Sequence, residues 1–383
     1  MRIAIDIRCL MEKELTGVGE YTFHLLKHLF EIDNKNQYYL FYNSRQNVRP
    51  YIPKFPKDNV HYCEFKWPNK LLNLSLILFN RPRLDLWLQR KHGTPAIDLF
   101  FFPNLSFFAA RCPFVITAHD ISFKFFPEFL DWKRRLWHKI IQPKKLFQRA
   151  AKIIAVSNNT REDLASAYGL NPKQIITILS GVANNYKIIK TDDWRFKEIK
   201  KRYCLPDKFI LFLGTLEPRK NLETLIAAFQ LFYRQHPEYN LVIAGKRGWK
   251  CAEIEKDIAR TPNVLCVHFI KDAEKRYFYN AATMFIYPSY YEGFGFPPLE
   301  AMACGCPTII SNNSSLTEIC GSAALLINPF DVNDLVRAMN EMLIPEVAQS
   351  YRAKGIERAR QFNWYTTAQK LLNVFNAIKE ELC

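Results

Sequence analysis

Glu292 and Glu300 lie eight positions apart around a turn rich in glycine and proline, Glu292-Gly293-Phe294-Gly295-Phe296-Pro297-Pro298-Leu299-Glu300. The apolar run 284–287 before it reads as a buried strand, and a helix is expected to open at Pro297 or Pro298. Glu292 therefore sits on a loop leaving a strand, and Glu300 in the first turns of a helix. Open α/β sheets bind ligands at such carboxyl ends. Paired carboxylates accept hydrogen bonds from several hydroxyls at once, which a sugar or a ribose offers. The glycines let backbone N–H groups approach a ligand, which makes Gly293, Phe294 and Gly295 candidate contacts. Taken alone, the pair also fits two solvated acids, with Glu300 favoured by the helix dipole.

A second group is cationic. Gly214-Thr215-Leu216-Glu217-Pro218-Arg219-Lys220-Asn221 follows the apolar run 209–213. Arg219 and Lys220 on a loop after a strand suit a diphosphate, whose departure builds negative charge. Three further loops carry candidates. Thr16-Gly17-Val18-Gly19 comes after the first strand and opens a helix; it is either a tight turn or a phosphate cradle. It lacks a full GxGxxG, so a dinucleotide reading has little support. His119, with Asp120, ends the run 114–117 and is placed to exchange a hydrogen bond with a hydroxyl near a reacting carbon. Gly245-Lys246-Arg247-Gly248-Trp249 follows the run 240–244, with Gly245 framing a nucleotide and Lys246 within reach of a phosphate, or else forms a surface turn.

The elements that must position these groups follow from periodicity. Strands are expected at 2–7, 38–42, 60–63, 99–102, 114–117 and 153–156, and again at 209–213, 240–244, 264–269, 284–287, 308–311 and 324–327. Most are apolar throughout, as strands covered on both faces are. Helices are expected between them, at 19–30, from a Ser157 cap through Ala167, and at 366–381. Two consecutive βα series in 383 residues predict two doubly wound α/β domains, 1–182 and 183–364, with 183–207 as the hinge region.

Net charge is +16 and unevenly spread: residues 1–182 hold 27 Lys and Arg against 15 Asp and Glu. Such a balance suits an anionic membrane surface or a phosphorylated substrate. No zinc-finger spacing or RNP-like aromatic motif supports nucleic acid. The ten cysteines form no CxxC pair, so neither a zinc site nor a disulfide framework is expected. The start of the chain reads as a strand rather than a signal peptide, which points to the cytoplasm. The apolar run 71–79 is too short to span a bilayer. With Arg81, Arg83, Arg90 and Lys91 behind it, it suits a membrane surface, as does the basic and aromatic stretch from Trp132 to Lys145. Solvated charged faces explain the same residues equally well.

The text around Glu292 and Glu300 resembles the Glu-x7-Glu signature of retaining glycosyltransferases of family 4, which have the GT-B fold. The likeness extends over nearly the whole chain, through Phe102-Pro103-Asn104, Ser180-Gly181-Val182 and Ser311-Asn312-Asn313-Ser314-Ser315-Leu316-Thr317-Glu318, and is greatest in the branch of bacterial O-antigen mannosyltransferases. It implies two Rossmann-like domains facing across a cleft, with a final helix crossing back to the first. It also implies roles. Glu300 would bind ribose, Glu292 sugar hydroxyls, and Arg219 and Lys220 the diphosphate. Gly17 and Gly19 would line the diphosphate, His119 would meet the sugar, and the loop at Ile270 would hold the base through its backbone. Many relatives have Arg where this chain has Thr215, leaving Arg219 and Lys220 as the evident diphosphate cations. The implied reaction moves a hexose, mannose from GDP-mannose being favoured, to a glycan or lipid-linked glycan in surface polysaccharide synthesis. It needs no metal and no resident cofactor, since cations replace the metal. UDP-, dTDP- or ADP-sugars are the alternative donors. A non-catalytic nucleotide- or glycan-binding subunit and a nucleotide-sugar epimerase are alternative classes. The expected location is the cytoplasm, with peripheral attachment to the inner membrane face.

Overall fold

A computed structural model of the chain describes residues 1–190, 193–268 and 270–382. Phe269, expected to end a strand before the base-holding loop, lies outside these. The chain divides into two compact units. Unit 1 holds Met1–Ile121, Lys133–Gly181 and Asn363–Cys383; unit 2 holds Ser122–Trp132 and Val182–Phe362.

Unit 1 contains a sheet of seven parallel strands: β1 (Arg2–Asp6), β2 (Gln37–Asn43), β3 (Val60–Phe65), β4 (Leu99–Phe102), β5 (Phe114–Ala118), β6 (Lys152–Ala155) and β7 (Ile175–Thr177), in the order β3-β2-β1-β4-β5-β6-β7. Every residue of β4 and β5 is buried, because helices cover both faces. β7 was not expected: it is a short edge strand in which only Ile175 is buried and Thr177 interrupts the apolar run. Helix Gly17–Ile32 starts two residues earlier than expected. Thr16 caps it, its Oγ1 accepting from Gly19 N. Helix Asn158–Tyr168 has the Ser157 cap and ends on Gly169 at φ 62°. The terminal helix, Trp364–Leu382, belongs to unit 1 and lies against Gly17–Ile32. Trp364 meets the rings of Tyr21 and His24, and Phe375 meets Phe101.

Unit 2 repeats the plan with β8 (Phe209–Leu213), β9 (Asn240–Ala244), β10 (Val264–Val267), β11 (Met284–Tyr287), β12 (Thr308–Ser311) and β13 (Leu325–Ile327), ordered β10-β9-β8-β11-β12-β13. All pairings are parallel. In each sheet the order reverses once, between β1 and β4 and between β8 and β11. A crevice at the carboxyl ends of those strands is where doubly wound sheets bind ligands.

One segment groups differently from the 1–182 expectation. Ser122–Trp132 joins unit 2. Phe125 and Phe126 meet the Tyr291 ring, Phe129 stacks on Tyr290, and Trp249 Nε1 donates to Phe129 O at 2.7 Å. The segment thus packs on the residues just before Glu292. The change from unit 1 to unit 2 falls at Gly181–Val182, just ahead of 183–207, and that segment contains helix Trp194–Arg202.

The loops after β8 and β9 are zipped together. Gly214 N donates to Ala244 O, Leu216 N to Lys246 O and Gly248 N to Leu216 O. Gly245 has φ +146°, and a Cβ there would lie 1.8 Å from Gly214 O. At Gly17, by contrast, an added Cβ would meet nothing within 4 Å, and the residue already lies in a helix. Gly245→Ala is therefore expected to cost about 3 kcal/mol or more in chemical denaturation. Gly17→Ala should be neutral or stabilising by up to about 1 kcal/mol. Equal stabilities for the two variants would contradict the packing described.

Candidate active site

The site is built from the two loops that leave β8 and β11 at the reversal of the second sheet. The first, after Leu213, makes a single 3-10 turn at Pro218–Lys220 and ends at Asn221 with φ 57°. Asn221 Nδ2 donates to Pro288 O at 3.0 Å and Pro329 O at 2.7 Å, tying the turn to the second loop. Tyr290 N donates to Arg219 O at 2.9 Å, a further tie. The second loop is held from behind. Glu292 N donates to Ser314 Oγ at 3.0 Å, and the Ser315 hydroxyl lies within reach of the Glu292 and Phe294 carbonyls. Helix Phe296–Ala303 then opens at Gly295, φ +101°, one residue ahead of the expected prolines. A Cβ at Gly295 would lie 2.8 Å from Leu316 Cδ2.

These loops bring Arg219, Lys220 and Glu292 together. Arg219 Nη1 donates to Glu292 Oε2 at 2.8 Å, and Lys220 Nζ donates to Glu292 Oε1 at 2.5 Å. Arg219 also donates to Tyr291 O at 2.6 Å and, through Nε and Nη2, to Glu217 Oε1 at 3.1 and 2.7 Å. Lys220 Nζ donates to Tyr287 Oη at 2.6 Å and lies 4.8 Å from the centre of that ring. Lys220 and Glu292 are each 6% exposed, and Glu217 is 2% exposed. The result is a buried cluster of two cations and two carboxylates. Burial would raise the Glu292 carboxyl, but Arg219, Lys220 and the hydrogen bond from Lys220 prevail and hold it at about 2. Burial and the Arg219 charge pull the Lys220 ammonium below its ordinary value, against the opposing pull of Glu292 and Glu217. Each carboxylate oxygen has more than one lone-pair direction, so Glu292 still has acceptor capacity toward a ligand hydroxyl.

Glu300 is set apart from this cluster in its bonding. Its Oε2 accepts from Tyr279 Oη at 2.8 Å. Burial raises its carboxyl, outweighing the Lys275 charge and the hydrogen bonds from Tyr279 and Tyr186. The two glutamates of the signature therefore have opposite environments: one is held ionised, the other is pushed toward its neutral form. Gly293 and Phe294 are buried in the Glu292 loop, the Phe294 ring resting on Phe296 and Phe362. The Ile270 side chain is buried. Lys246 is half-buried in the zipped loop. Gly245 is required there by the Gly214 carbonyl whether or not a ligand approaches.

Unit 1 carries its own group at the reversal between β1 and β4. Asp6, buried at the end of β1, pairs with Arg8 at 2.6 Å and accepts from Ser106 Oγ at 3.2 Å. Arg8 Nη2 also donates to Phe107 O at 2.9 Å. His119 follows β5, with Nε2 2.8 Å from Pro103 O and the Tyr21 ring edge-on at 4.7 Å. A carbonyl only accepts, which assigns the proton to Nε2. Burial lowers the His119 pKa, outweighing the raising effects of the Pro103 carbonyl and Asp120. The ring is thus neutral near pH 7, with Nδ1 available as an acceptor. Of the two glycines before the first helix, Gly17 is open, whereas Gly19 is packed on Leu15 and the Cys9 carbonyl.

Glu217, Tyr287, Asp6 and Arg8 were not singled out from sequence. Asp6 had a signal: an acid ending the apolar strand Ile3-Ala4-Ile5 at a carboxyl end. Glu217 sat inside a string already marked, but its burial was not legible. Among the described residues, no group of three or more His, Cys, Asp or Glu is placed to hold a metal ion.

Comparison with known proteins decides the family. Residues 15–185 match the family model described as Glycosyltransferase Family 4, and residues 195–362 match that of Glycosyl transferases group 1. The chain belongs to glycosyltransferase family 4. It is 27% identical to O-antigen chain mannosyltransferase B of Escherichia coli, over 95% of this chain and 97% of that protein. It is 33% identical to the serotype-specific mannosyltransferase WbdA of Escherichia coli over 61% of this chain, and that match spans 29% of WbdA. Among solved structures, a sucrose-phosphate synthase from Thermosynechococcus elongatus superposes with a TM-score of 0.77 at 20% identity, covering 100% of both chains. That likeness establishes the GT-B fold of this family 4 protein.

Removing one member of a buried charge cluster strands the others. Glu292→Gln in this glycosyltransferase is expected to cost about 3 kcal/mol by chemical denaturation at pH 7. The pH dependence has a defined sign. The folded Glu292 carboxyl sits at about 2, below its ordinary 4.5, so its stabilisation is complete above pH 4.5 and is lost as pH falls toward 2. Denaturation between pH 5 and 2 should therefore be shallower in Glu292→Gln than in the parent protein, and an unchanged slope would refute the charge pairing.

Proposed function

We propose that the protein is a retaining mannosyltransferase acting on a glycan or lipid-linked glycan in the synthesis of a surface polysaccharide. One observation carries the reading: in a family 4 chain, Arg219, Lys220 and Glu292 converge at the strand reversal of the second sheet. The mannosyltransferase names of the relatives in O-antigen synthesis support the sugar. GDP-mannose is the favoured donor.

In this mechanism the cations stabilise charge on the leaving diphosphate. Glu217 and Glu292 keep them in place, so no reorganisation is needed as that charge develops. The remaining acceptor capacity of Glu292 takes sugar hydroxyls, and Glu300 takes ribose hydroxyls. His119, neutral with Nδ1 open, is suited to accept from a hydroxyl. Gly17 leaves an uncrowded helix start that suits an anion. The acceptor oxygen bonds to the anomeric carbon on the face the diphosphate leaves. The breaking bond's electrons go to the diphosphate, and its oxygen takes the acceptor's proton. Arg219 and Lys220 supply the positive charge for which other transferases use a divalent ion. A lipid-linked acceptor would place the work at the cytoplasmic face of a membrane.

The purified protein with GDP-mannose and a polyprenyl-diphosphate-linked oligosaccharide should form an α-mannoside, its anomeric configuration read by NMR, with EDTA leaving the rate unchanged. Glu292→Gln should lower the transfer rate at least about a hundredfold. Thermal-shift comparison of GDP-, UDP-, dTDP- and ADP-sugars should show the largest rise with GDP-mannose, since the donor stabilises the fold by mass action. An inverted product or a preference for another base would overturn the corresponding part of the reading.

A further inference from the structure

Helix Asn69–Phe79 in unit 1 is amphipathic the wrong way round for a soluble surface. Its buried side is narrow: Leu72 and Leu76 sit on Ala109, with Trp87 and Phe107 packed alongside. Its solvent side is apolar. Leu71 is 57% exposed, Leu74 50%, Leu78 62% and Phe79 69%, and Ile77 is exposed as well. Leu71, Leu74 and Leu78 recur at three- and four-residue spacing and so form one ridge. Trp67, just before the helix, is exposed too. Isolated exposed leucines are common, but a contiguous group of this kind marks an interaction surface.

Charge identifies the occupant. Residues 66–92 contain six cations, Lys66, Lys70, Arg81, Arg83, Arg90 and Lys91, and one acid, Asp85. Asp85 is buried, accepting from Arg111 N and Cys112 N, so it does not offset the cations at the surface. The pattern continues on helix Trp132–Ile141. Its Leu136 and Ile140 are exposed, and Lys133, Arg134, Arg135 and Lys139 accompany them without an acid. Trp137 of that helix meets Phe107, which also packs on the Leu72–Leu76 cluster, so both helices flank one patch. No helix among the described residues is long and apolar enough to cross a membrane.

We propose that the Asn69–Phe79 helix is the contact by which this protein lies on an anionic lipid bilayer, its leucine ridge entering the interface and the flanking cations meeting lipid phosphates. An apolar ridge bordered by Lys and Arg matches both layers of such a surface. A second copy would set like charges against each other around the ridge. This holds with or without the donor chemistry proposed above.

The test is sedimentation of the full chain with vesicles of phosphatidylglycerol mixed equally with phosphatidylcholine, compared with phosphatidylcholine alone. The wild type should sediment with the anionic vesicles, less so at high salt. Leu74→Glu combined with Leu78→Glu should lower vesicle affinity about tenfold or more, with an unchanged thermal transition because both side chains are exposed. Lys70→Glu combined with Arg81→Glu should do the same for anionic vesicles only. Wild-type protein left in the supernatant, or leucine variants that bind as well as wild type, would overturn the proposal. So would a wild-type dimer that the leucine variant converts to monomer without any lipid binding.

Discussion

Four charges at the ends of two adjacent strands, three buried and Arg219 partly so, set the conditions for much of unit 2. Glu217, Lys220 and Glu292 are taken out of water and Arg219 partly so, and each is tolerable because it is hydrogen-bonded to an opposite charge in the set. Removing water from one such ion is costly, so the surroundings must hold the geometry closely. This explains the amount of local scaffolding. Asn221 ties the two loops, Ser314 and Ser315 hold the Glu292 backbone, and Tyr287 takes a further bond from Lys220. The zipped glycine loops and the aromatic segment Ser122–Trp132 hold the same region from other sides.

The two units share a topology and differ in chemistry. At its strand reversal unit 2 has a neutral set of paired ions. Unit 1 has the Asp6–Arg8 pair there, and His119 after the neighbouring strand kept uncharged by burial. Doubly wound sheets put a crevice at this place in both cases. What the crevice does depends on the loop residues, and these differ between the two halves.

Strand positions were legible because parallel strands covered on both faces are apolar throughout: Phe209-Ile210-Leu211-Phe212-Leu213 has no other sensible reading. β7 was not, since Ile175–Thr177 is a half-buried edge strand whose threonine breaks the apolar run. Glu292, Arg219 and Lys220 could be picked out by residue type and position after strands, but their mutual pairing could not. That pairing joins residues 72 and 73 apart in the chain, and only the β8–β11 neighbourhood brings them together. Glu217 was invisible as a participant, because nothing in a sequence distinguishes a buried glutamate from a solvated one. The opposite fates of Glu292 and Glu300 arise from their surroundings: both are buried, but Arg219 and Lys220 outweigh burial at Glu292, while at Glu300 burial prevails over the Lys275 charge and the tyrosine hydrogen bonds. The assignment of Ser122–Trp132 to unit 2 rests on ring contacts with Tyr290 and Tyr291, again across a long stretch of chain.

Helix Trp364–Leu382 belongs with the first unit and lies against helix Gly17–Ile32. On the ribosome these two helices emerge far apart in time. The first half can lay down its seven strands, yet the flank awaiting Trp364 and Phe375 stays wet until all of the second half has been translated. Unit 1 is thus the first to begin and the last to be finished. A nascent chain arrested anywhere before Asn363 carries a half-dressed N-terminal lobe, a natural target for chaperones and for degradation.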